Sequence, residues 1–466
     1  MVLRLLNLND IWGPPYQNKL VNLDAPLGTV CTDSRNIKKG NFFVPLIGNK
    51  FDGHLFLEEV FEKGVQAAFI SKDCNLAIPE ELLYWQVDDT QEAYQKLAFL
   101  HRRLFSIPVV AVTGSAGKTT TRELIHSSLV PLGEVLATSN NNNNDIGVPF
   151  TLLKANVNHS AIVLEMAMRG LGQIERLSKC ACPDIAVITN IGSSHIGLLG
   201  SKQNIASAKC EIAAHMNPNG FVIIPAGDQL LEKTLQEVWK GRIVRVDIES
   251  KSNPFFANEY DSHQTKKNVD YLGVLDSDNW QITYDGIIFQ MPLQGRHNAI
   301  NFMFALAVAY ELNVPLDSIR NLSVNLPPGR NHSLTFGNIN VLDETYNASP
   351  ESVIASLDLL ATKPGRHFAV LGNMYELGEK TIDYHEQIVQ HSIATGLTGL
   401  VICVNGPEAE AMLLAGQPLS YIEVVSTPED AFLILKSWLN SGDYLLLKAS
   451  RKVSLERILP LLKEAY

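Results

Sequence analysis

Cysteine is scarce and scattered in this chain. The six cysteines, Cys31, Cys74, Cys180, Cys182, Cys210 and Cys403, include one close pair, split by a single residue. That is not the C-x-x-C spacing of zinc and redox sites, so reduced thiols in a cytosolic setting are expected. An excess of positive charge is also lacking: Lys and Arg number 38 against 49 Asp and Glu, a net charge of −11. This argues against a nucleic-acid partner or a broad anionic-membrane surface, and any anionic ligand must be held by a local site. No run approaches the roughly 20 uninterrupted apolar residues of a membrane helix. The opening MVLRLLNLNDIWGPP lacks the long apolar core and small-residue cleavage site of a signal peptide. A cytoplasmic protein without stable membrane insertion is the expectation.

What is present is the composition of a globular chain, 46% apolar and 19% charged over 466 residues, long enough for two to four domains. Three stretches differ in pattern. Residues 1–104 carry short apolar runs, GTVCTDS, NFFVPLI and VQAAFI, around the helix-like HLFLEEVFEKG, a small α/β module. Residues 105–326 contain IPVVAVTG, SAIVLEM, DIAVITN and GFVIIPAG, runs apolar throughout, as expected for strands covered on both faces of a mainly parallel sheet. Within this stretch, residues 249–270 are polar and aperiodic and read as an exposed excursion. WQITYDGIIFQMP then reads as a hairpin turning at Asp285 and Gly286.

LPPGR at 326–330 is a stiff connection. Beyond it, in residues 327–466, NINVLDE, HFAVLGN, GLVICVN, YIEVVST and DYLLLKAS alternate with helical patterns, one of them capped by Ser349 with Pro350 at its first position. Five such units predict a Rossmann-like domain, and an α/β protein of three domains overall.

IPVVAVT runs into GSAGKTTTRELIHSSL, a strand, a glycine loop, Lys-Thr and an amphipathic helix with Leu124, Ile125 and Leu129 on one side. Backbone N–H groups and a helix N-terminus at such a turn surround phosphate oxygens. Gly114, Ser115, Ala116, Gly117, Lys118, Thr119 and Thr120 form the candidate loop, with Lys118 facing the β- and γ-phosphates and the Thr119 hydroxyl facing Mg²⁺. The spacing is short, G-x-x-G-K-T, because Val112 occupies the position of the usual first glycine. ATP or GTP is the expected ligand. Glu165 ends the run SAIVLE and His195 follows DIAVITN, so a parallel sheet brings both near the loop at its carboxyl edge. Mg²⁺ favours Glu165 by chemistry, while His195 could equally be a hydrogen-bonding loop residue.

TSNNNNNDIGVP is the remaining oddity. A polyasparagine run by itself reads as an irregular surface loop, since Asn competes with the backbone for hydrogen bonds and tolerates left-handed conformations.

TGSAGKTTTRE followed by TSNNNNNDIGVPFTLL resembles the Mur ligases, ATP-dependent amide-bond ligases of peptidoglycan precursor synthesis. TDSR, KFDGHLF, VLEM, TNIGSSHIG, IASAKCEI, GRHNAIN, PPGR, LDETYNASP, LGNMYELGE and LLKASR follow in the family's order, across all three stretches. The resemblance is to the branch that adds D-alanyl-D-alanine to UDP-N-acetylmuramoyl-tripeptide, and it implies ATP, two Mg²⁺ ions and a monomer.

Residue by residue, the resemblance implies that Lys118, Glu165, His195, Lys209 and Arg330 carry the chemistry. Lys209 would be a carbamate formed from CO₂ and would join Thr119, Glu165 and His195 around the metal. Asn298, and with it His297, would contact base and ribose, Arg330 the γ-phosphate and Asp343 the ribose, with Tyr346 and Asn347 completing that face. Asp33, Ser34 and Arg35 would grip the UDP-sugar. Asn141, Asn143 and Asn144 match the family's pocket segment, with Asn140 and Asn142 as spacers.

Blander readings stand beside these: Lys209 as an ordinary helix lysine, Arg330 and Asp343 as an interdomain ion pair, Asp33 to Arg35 as a polar turn. Two departures from the family are Ala167 in EMAM, where Gly is usual, and Asn373 in LGNM, where Asp is usual. The rivals are a diaminopimelate- or lysine-adding ligase or a folylpolyglutamate synthase, a P-loop kinase and a silent nucleotide-binding module. No Asp-Asn-Pro-Arg string supports the diaminopimelate type.

Overall fold

A computed structural model describes residues 3–16, 22–251 and 268–466. Most of the polar excursion expected at 249–270 therefore lies outside the described residues.

Among the described residues three large sheets follow one another, beside a two-stranded ribbon of Ile47–Gly48 and Phe51–Asp52. The first has four strands, Val30–Cys31, Phe42–Phe43, Ala67–Ser71 and Tyr84–Val87, all parallel and in sequence order. The helix Thr90–Arg102 closes this unit, started by Asp89, whose carboxylate accepts the Glu92 N–H. It also ties the unit to the next: Gln95 Nε2 donates to the Asp145 carbonyl at 3.1 Å, and Arg102 pairs with Asp184 at 2.9 Å.

The second sheet has nine strands. Seven are parallel, in the spatial order Tyr271–Asp276, Arg242–Ser250, Phe221–Pro225, Ile185–Ile188, Val109–Thr113, His159–Glu165 and Glu134–Ala137. The antiparallel hairpin Gln281–Tyr284 and Ile287–Gln290 adds the other edge. It turns at Asp285 and Gly286, both at positive φ, the requirement of a tight two-residue turn whose twist matches the strands.

The continuous apolar runs have their expected cause. Val109 and Ala111 face a core containing Leu177 and Ile205, while Val110 and Val112 face Leu124, Ile125, Leu129 and Phe302 on the other side. Burying each such large aliphatic or aromatic side chain contributes about 1.5–3 kcal/mol, so the strand that feeds the glycine loop is anchored on both faces.

The third sheet runs His332–Phe336, Ile339–Glu344, Tyr444–Lys448, His367–Gly372, Gly399–Cys403 and Tyr421–Val424. The five strands read from sequence are parallel, and the first, antiparallel, was not legible as a strand. Helix Pro350–Ala361 starts with Ser349 and Ser352 in a reciprocal cap, with Pro350 in its first turn. Among the described residues no helix is long and apolar enough to cross a membrane.

Candidate functional site

The strand Val109–Thr113 ends at Gly114, and the helix Lys118–Leu129 begins four residues later. Two glycines are sterically required between them. A Cβ on Gly114, at φ 152°, would lie 1.8 Å from Thr189 Oγ1, and one on Gly117, at φ 79°, would lie 2.9 Å from Asn301 Oδ1. The loop is braced from the next strand: Ser115 N–H donates to the Asn190 carbonyl at 3.1 Å, Ala116 N–H to Asn190 Oδ1 at 3.0 Å, and Gly192 N–H to Ser115 Oγ at 2.8 Å. Asn301 accepts from Thr121 Oγ1 at 3.1 Å, so the helix Arg296–Glu311 backs the loop as well. The first N–H groups of the Lys118 helix have no intrahelical partner by geometry and carry partial positive charge, an anion-binding arrangement.

Lys118 Nζ donates to the carbonyls of Gly114 at 2.8 Å and Ser115 at 3.2 Å, which holds the ammonium over the loop. Burial pushes its pKa down, opposed by Glu165 and reinforced by Arg330. Those two charges therefore stand within electrostatic range of it, one from each side of the interdomain cleft. Thr120, in the first turn of the helix, is buried.

Glu165 is the centre of the arrangement. It is 3% exposed, and its two oxygens accept from different segments: Oε2 from Thr119 Oγ1 and Oε1 from Asn143 Nδ2, both at 2.8 Å. Arg122 NH1 lies 3.8 Å from Oε2, and Arg122 also donates to the Thr138 carbonyl. A buried carboxylate needs such donors or a cation. His195, within electrostatic range of Lys118, sits at φ 67°, a left-handed conformation that costs a non-glycine residue roughly 1–2 kcal/mol. Burial and the Lys118 charge lower its pKa, the Glu376 bond raises it and the Lys209 charge lowers it further. Lys209 is 2% exposed. Burial, then the Lys118 charge, holds it well below the usual lysine range, so Lys118, His195 and Lys209 share one electrostatic environment. This is not the setting of an ordinary exposed helix lysine.

The asparagines divide. Asn143 holds Glu165, and its carbonyl accepts the Ala167 N–H at 2.9 Å, which joins the run to the EMAM loop. Asn141 Oδ1 accepts from the Tyr346 hydroxyl at 2.6 Å, a bond from the central to the C-terminal unit. Asn144 instead shapes the backbone, its Oδ1 accepting the N–H groups of Ile146 and Gly147 at 3.2 and 2.9 Å and turning the chain into the helix Gly147–Leu152. Asn140 is left-handed at φ 51°, and Asn142 reaches only Ser139, at 3.3 Å.

Across the cleft, the Arg330 guanidinium lies 3.7 Å from the centroid of the Tyr346 ring, and its buried Nε has no hydrogen-bond partner. Asp343 and Arg330 do not pair. Asp343 Oδ1 instead accepts from the Thr345 hydroxyl at 2.6 Å and the Thr345 N–H at 3.1 Å, which fixes the turn leading to Tyr346. Asn347 is exposed, and its carbonyl accepts from Lys448 at 3.3 Å. Asn298 is buried, donating to the Gln294 carbonyl at 2.7 Å. Burial lowers the pKa of His297, with Glu344 and Lys448 within range. A cavity of about 270 Å³ between the two units is lined by Leu293, Gln294, Asn331, His332, Leu342 and Glu344, adjoining this segment. Asn373, at the departure from LGDM, accepts the Asn405 N–H at 3.4 Å, a bond that needs no charge.

Asp33, Ser34 and Arg35 stand apart from all of this. Asp33 accepts from the Arg35 backbone and guanidinium at 2.8 to 3.1 Å, while the Ser34 carbonyl accepts from Lys63 at 2.9 Å. No contact joins them to the phosphate loop among the described residues. Sequence reasoning passed over Asn190, Arg122, Asn301 and Glu376. All four sit inside motifs legible as such, TNIGSSHIG, TGSAGKTTTRE, GRHNAIN and LGNMYELGE, but their partners come from other elements.

As for metal, no three His, Cys, Asp or Glu side chains converge among the described residues. Thr119 Oγ1 and Glu165 Oε2 meet at 2.8 Å, and His195 shares the electrostatic surroundings of Lys118 with them, a sparse donor set that suits Mg²⁺ where water and phosphate oxygens supply most of the ligands.

A glycine loop braced at the carboxyl edge of a parallel sheet, with a Rossmann-like unit facing it across a cleft, defines a P-loop protein with an interdomain site. Residues 112–309 match the Mur ligase middle domain and residues 329–451 the Mur ligase glutamate ligase domain. A Synechocystis protein named UDP-N-acetylmuramoyl-tripeptide–D-alanyl-D-alanine ligase is 39% identical, covering 93% of this chain and 91% of that one. MurF from Acinetobacter baumannii superposes with a TM-score of 0.84 at 27% identity over 100% and 99% of the two chains. MurF from Thermotoga maritima in complex with ADP superposes with 0.80 at 28% identity over 94% and 97%. The chain belongs to the Mur ligase family, and within it to the MurF type.

Proposed function

We propose that this chain is an ATP-dependent carbon–nitrogen ligase that joins D-alanyl-D-alanine to UDP-N-acetylmuramoyl-tripeptide through an acyl phosphate. The observation that carries the reading is Glu165: one buried carboxylate tied at once to the phosphate-loop threonine and to the asparagine run. The divisions at residues 1–104, 105–326 and 327–466 would hold the nucleotide-sugar, ATP and the acceptor side respectively.

The first step brings two anions together, the tripeptide carboxylate and the γ-phosphate. A carboxylate oxygen attacks phosphorus and ADP leaves. The acceptor amine, after losing a proton, attacks the acyl carbon, and phosphate departs from the tetrahedral adduct to leave the amide. Lys118 offsets negative charge at the phosphates from below, and Arg330 does so from the C-terminal unit. Thr119, Glu165 and His195 are the residues to hold Mg²⁺, which supplies further charge neutralisation when bound. Lys209, as a carbamate, would hold a second ion, and in its support the buried amine is held toward the neutral form, as addition of CO₂ requires. Asn298 and Asp343 would lie along base and ribose, Tyr346, Asn347 and Asn141 along the acceptor face, and Asp33 to Arg35 at the distant UDP-sugar end. The protein would act as a cytoplasmic monomer without nucleic acid.

Phosphate release from ATP, measured with UDP-muramoyl-tripeptide and each of D-Ala-D-Ala, D-Ala and diaminopimelate, tests the assignment. Release only with D-Ala-D-Ala is expected. Preference for diaminopimelate, or release independent of any acceptor, would reject it.

A further inference from the structure

Glu376 is tied to the candidate metal edge, yet none of the roles assigned so far uses it. It lies beyond the strand His367–Gly372 of the C-terminal unit and reaches the central unit twice. Its Oε2 is 2.5 Å from His195 Nδ1, and its carbonyl accepts the Gly197 N–H at 2.8 Å. Both partners of the side-chain bond are left-handed, His195 at φ 67° and Glu376 at φ 64°. Non-glycine residues stay in that region only where their surroundings hold them.

The backbones approach closely enough to make the seam specific. A Cβ on Gly197 would lie 2.5 Å from Gly378 N and 2.9 Å from the Glu376 carbonyl. Ser193, two residues before His195, is held from the same side, its N–H by Glu351 Oε1 at 2.6 Å and its hydroxyl by Tyr384 at 3.0 Å.

An ionised carboxylate facing Nδ1 accepts its proton, and in the neutral ring that leaves Nε2 with a free lone pair. Second carboxylates of this kind fix ring orientation and tautomer where histidine binds metal, and losing one typically costs tenfold to a hundredfold in metal affinity. Here the carboxylate and the histidine belong to different folding units. We propose that Glu376 is a positioning residue that sets the tautomer and orientation of His195 from across the domain seam, so that the metal-binding edge is complete only when the C-terminal unit is docked. The proposal rests on the reading that His195 donates to a divalent cation.

Glu376→Gly is the informative variant, because glycine occupies φ 64° without strain while the carboxylate is lost. Mn²⁺ binding to the full chain with ADP, followed by the electron paramagnetic signal of free Mn²⁺, is expected to weaken at least tenfold in E376G. It should recover to within about threefold of the parent in E376Q, whose amide oxygen still accepts from Nδ1. In the metal-free protein, ¹⁵N spectra of labelled histidine are expected to show His195 protonated at Nδ1 in the parent and to lose that state in E376G, with a His195→Gln spectrum giving the assignment.

An affinity for Mn²⁺ in E376G within twofold of the parent, or an unchanged His195 tautomer, overturns the proposal. Mn²⁺ binding insensitive to Glu165→Gln would instead sink the metal reading itself, so the two failures are distinguishable. If E376G does not fold, a tenfold or greater loss in a folded E376Q overturns the hydrogen-bond account, and its retention of affinity and tautomer supports it.

Discussion

Asn143 Nδ2 donates to Glu165 Oε1 at 2.8 Å, and the bond sets this asparagine apart from the four beside it. Asn143→Ala would leave a buried carboxylate oxygen without a donor. The expected result is a fall in kcat/KM of roughly tenfold, the order of one charge-assisted hydrogen bond near 1.5 kcal/mol. Steady-state kinetics check this, and an effect no larger than that of Asn142→Ala would return the run to a plain polar loop.

Asn144 should fail differently. Its side chain caps the turn into Gly147–Leu152, so Asn144→Ala is expected to cost about 1 kcal/mol of stability, read from the denaturant midpoint. Asn144→Asp, which keeps the accepting oxygen, should recover that stability. A stability loss shared by Asn140→Ala and Asn142→Ala would mean that the cap contributes nothing particular.

The contrast shows what the sequence could and could not convey. The glycine loop between strand and helix, the parallel strands and the Asp285–Gly286 hairpin were legible because each is local: a run buried on both faces, a turn that needs positive φ, a glycine where a side chain would collide. Glu165 was legible by its place at a strand end. Neither the cap formed by Asn144 nor the grip of Asn143 could be separated within five identical letters, since the difference is fixed by Glu165 and by backbone N–H groups elsewhere. Asn190, Arg122 and Glu376 were missed for the same reason, because each acts on a residue from another element. His332–Phe336 was missed because its burial alternates only weakly at a sheet edge.

Lys118→Ala removes a charge held over the loop by two carbonyls and no core packing. Turnover is expected to fall by a factor on the order of 100 or more, near 3 kcal/mol in the transition state, with circular dichroism unchanged. Activity within threefold of the parent would reject the phosphate-loop assignment.

Tyr346 offers a test of the cleft. Tyr346→Phe keeps the ring under Arg330 but removes the hydroxyl that reaches Asn141 at 2.6 Å. A loss of severalfold in kcat/KM is expected, about 1 kcal/mol for one neutral hydrogen bond. Tyr346→Ala should add a further loss of about 0.5–2 kcal/mol from the cation–π contact. Equal kinetics for the two variants would remove the ring from the account, and a double mutant with Asn141→Ala should show no further loss beyond Tyr346→Phe.

Lys209 separates the carbamate reading from the bland one. A buried amine held toward its neutral form by desolvation and by Lys118 can add CO₂, releasing one proton and converting a cationic position into an anion within range of Lys118. Lys209→Ala is then expected to lose activity, and acetate or formate to restore part of it by supplying the missing carboxylate. If the amine itself were needed, small primary amines would rescue the variant instead, and acetate would not. Bicarbonate depletion provides the second arm: activity of the parent should decline in CO₂-free buffer and return on adding bicarbonate, while the alanine variant stays indifferent to both. An alanine variant as active as the parent would take Lys209 out of the mechanism, leaving its burial against Lys118 as a cost with no functional return.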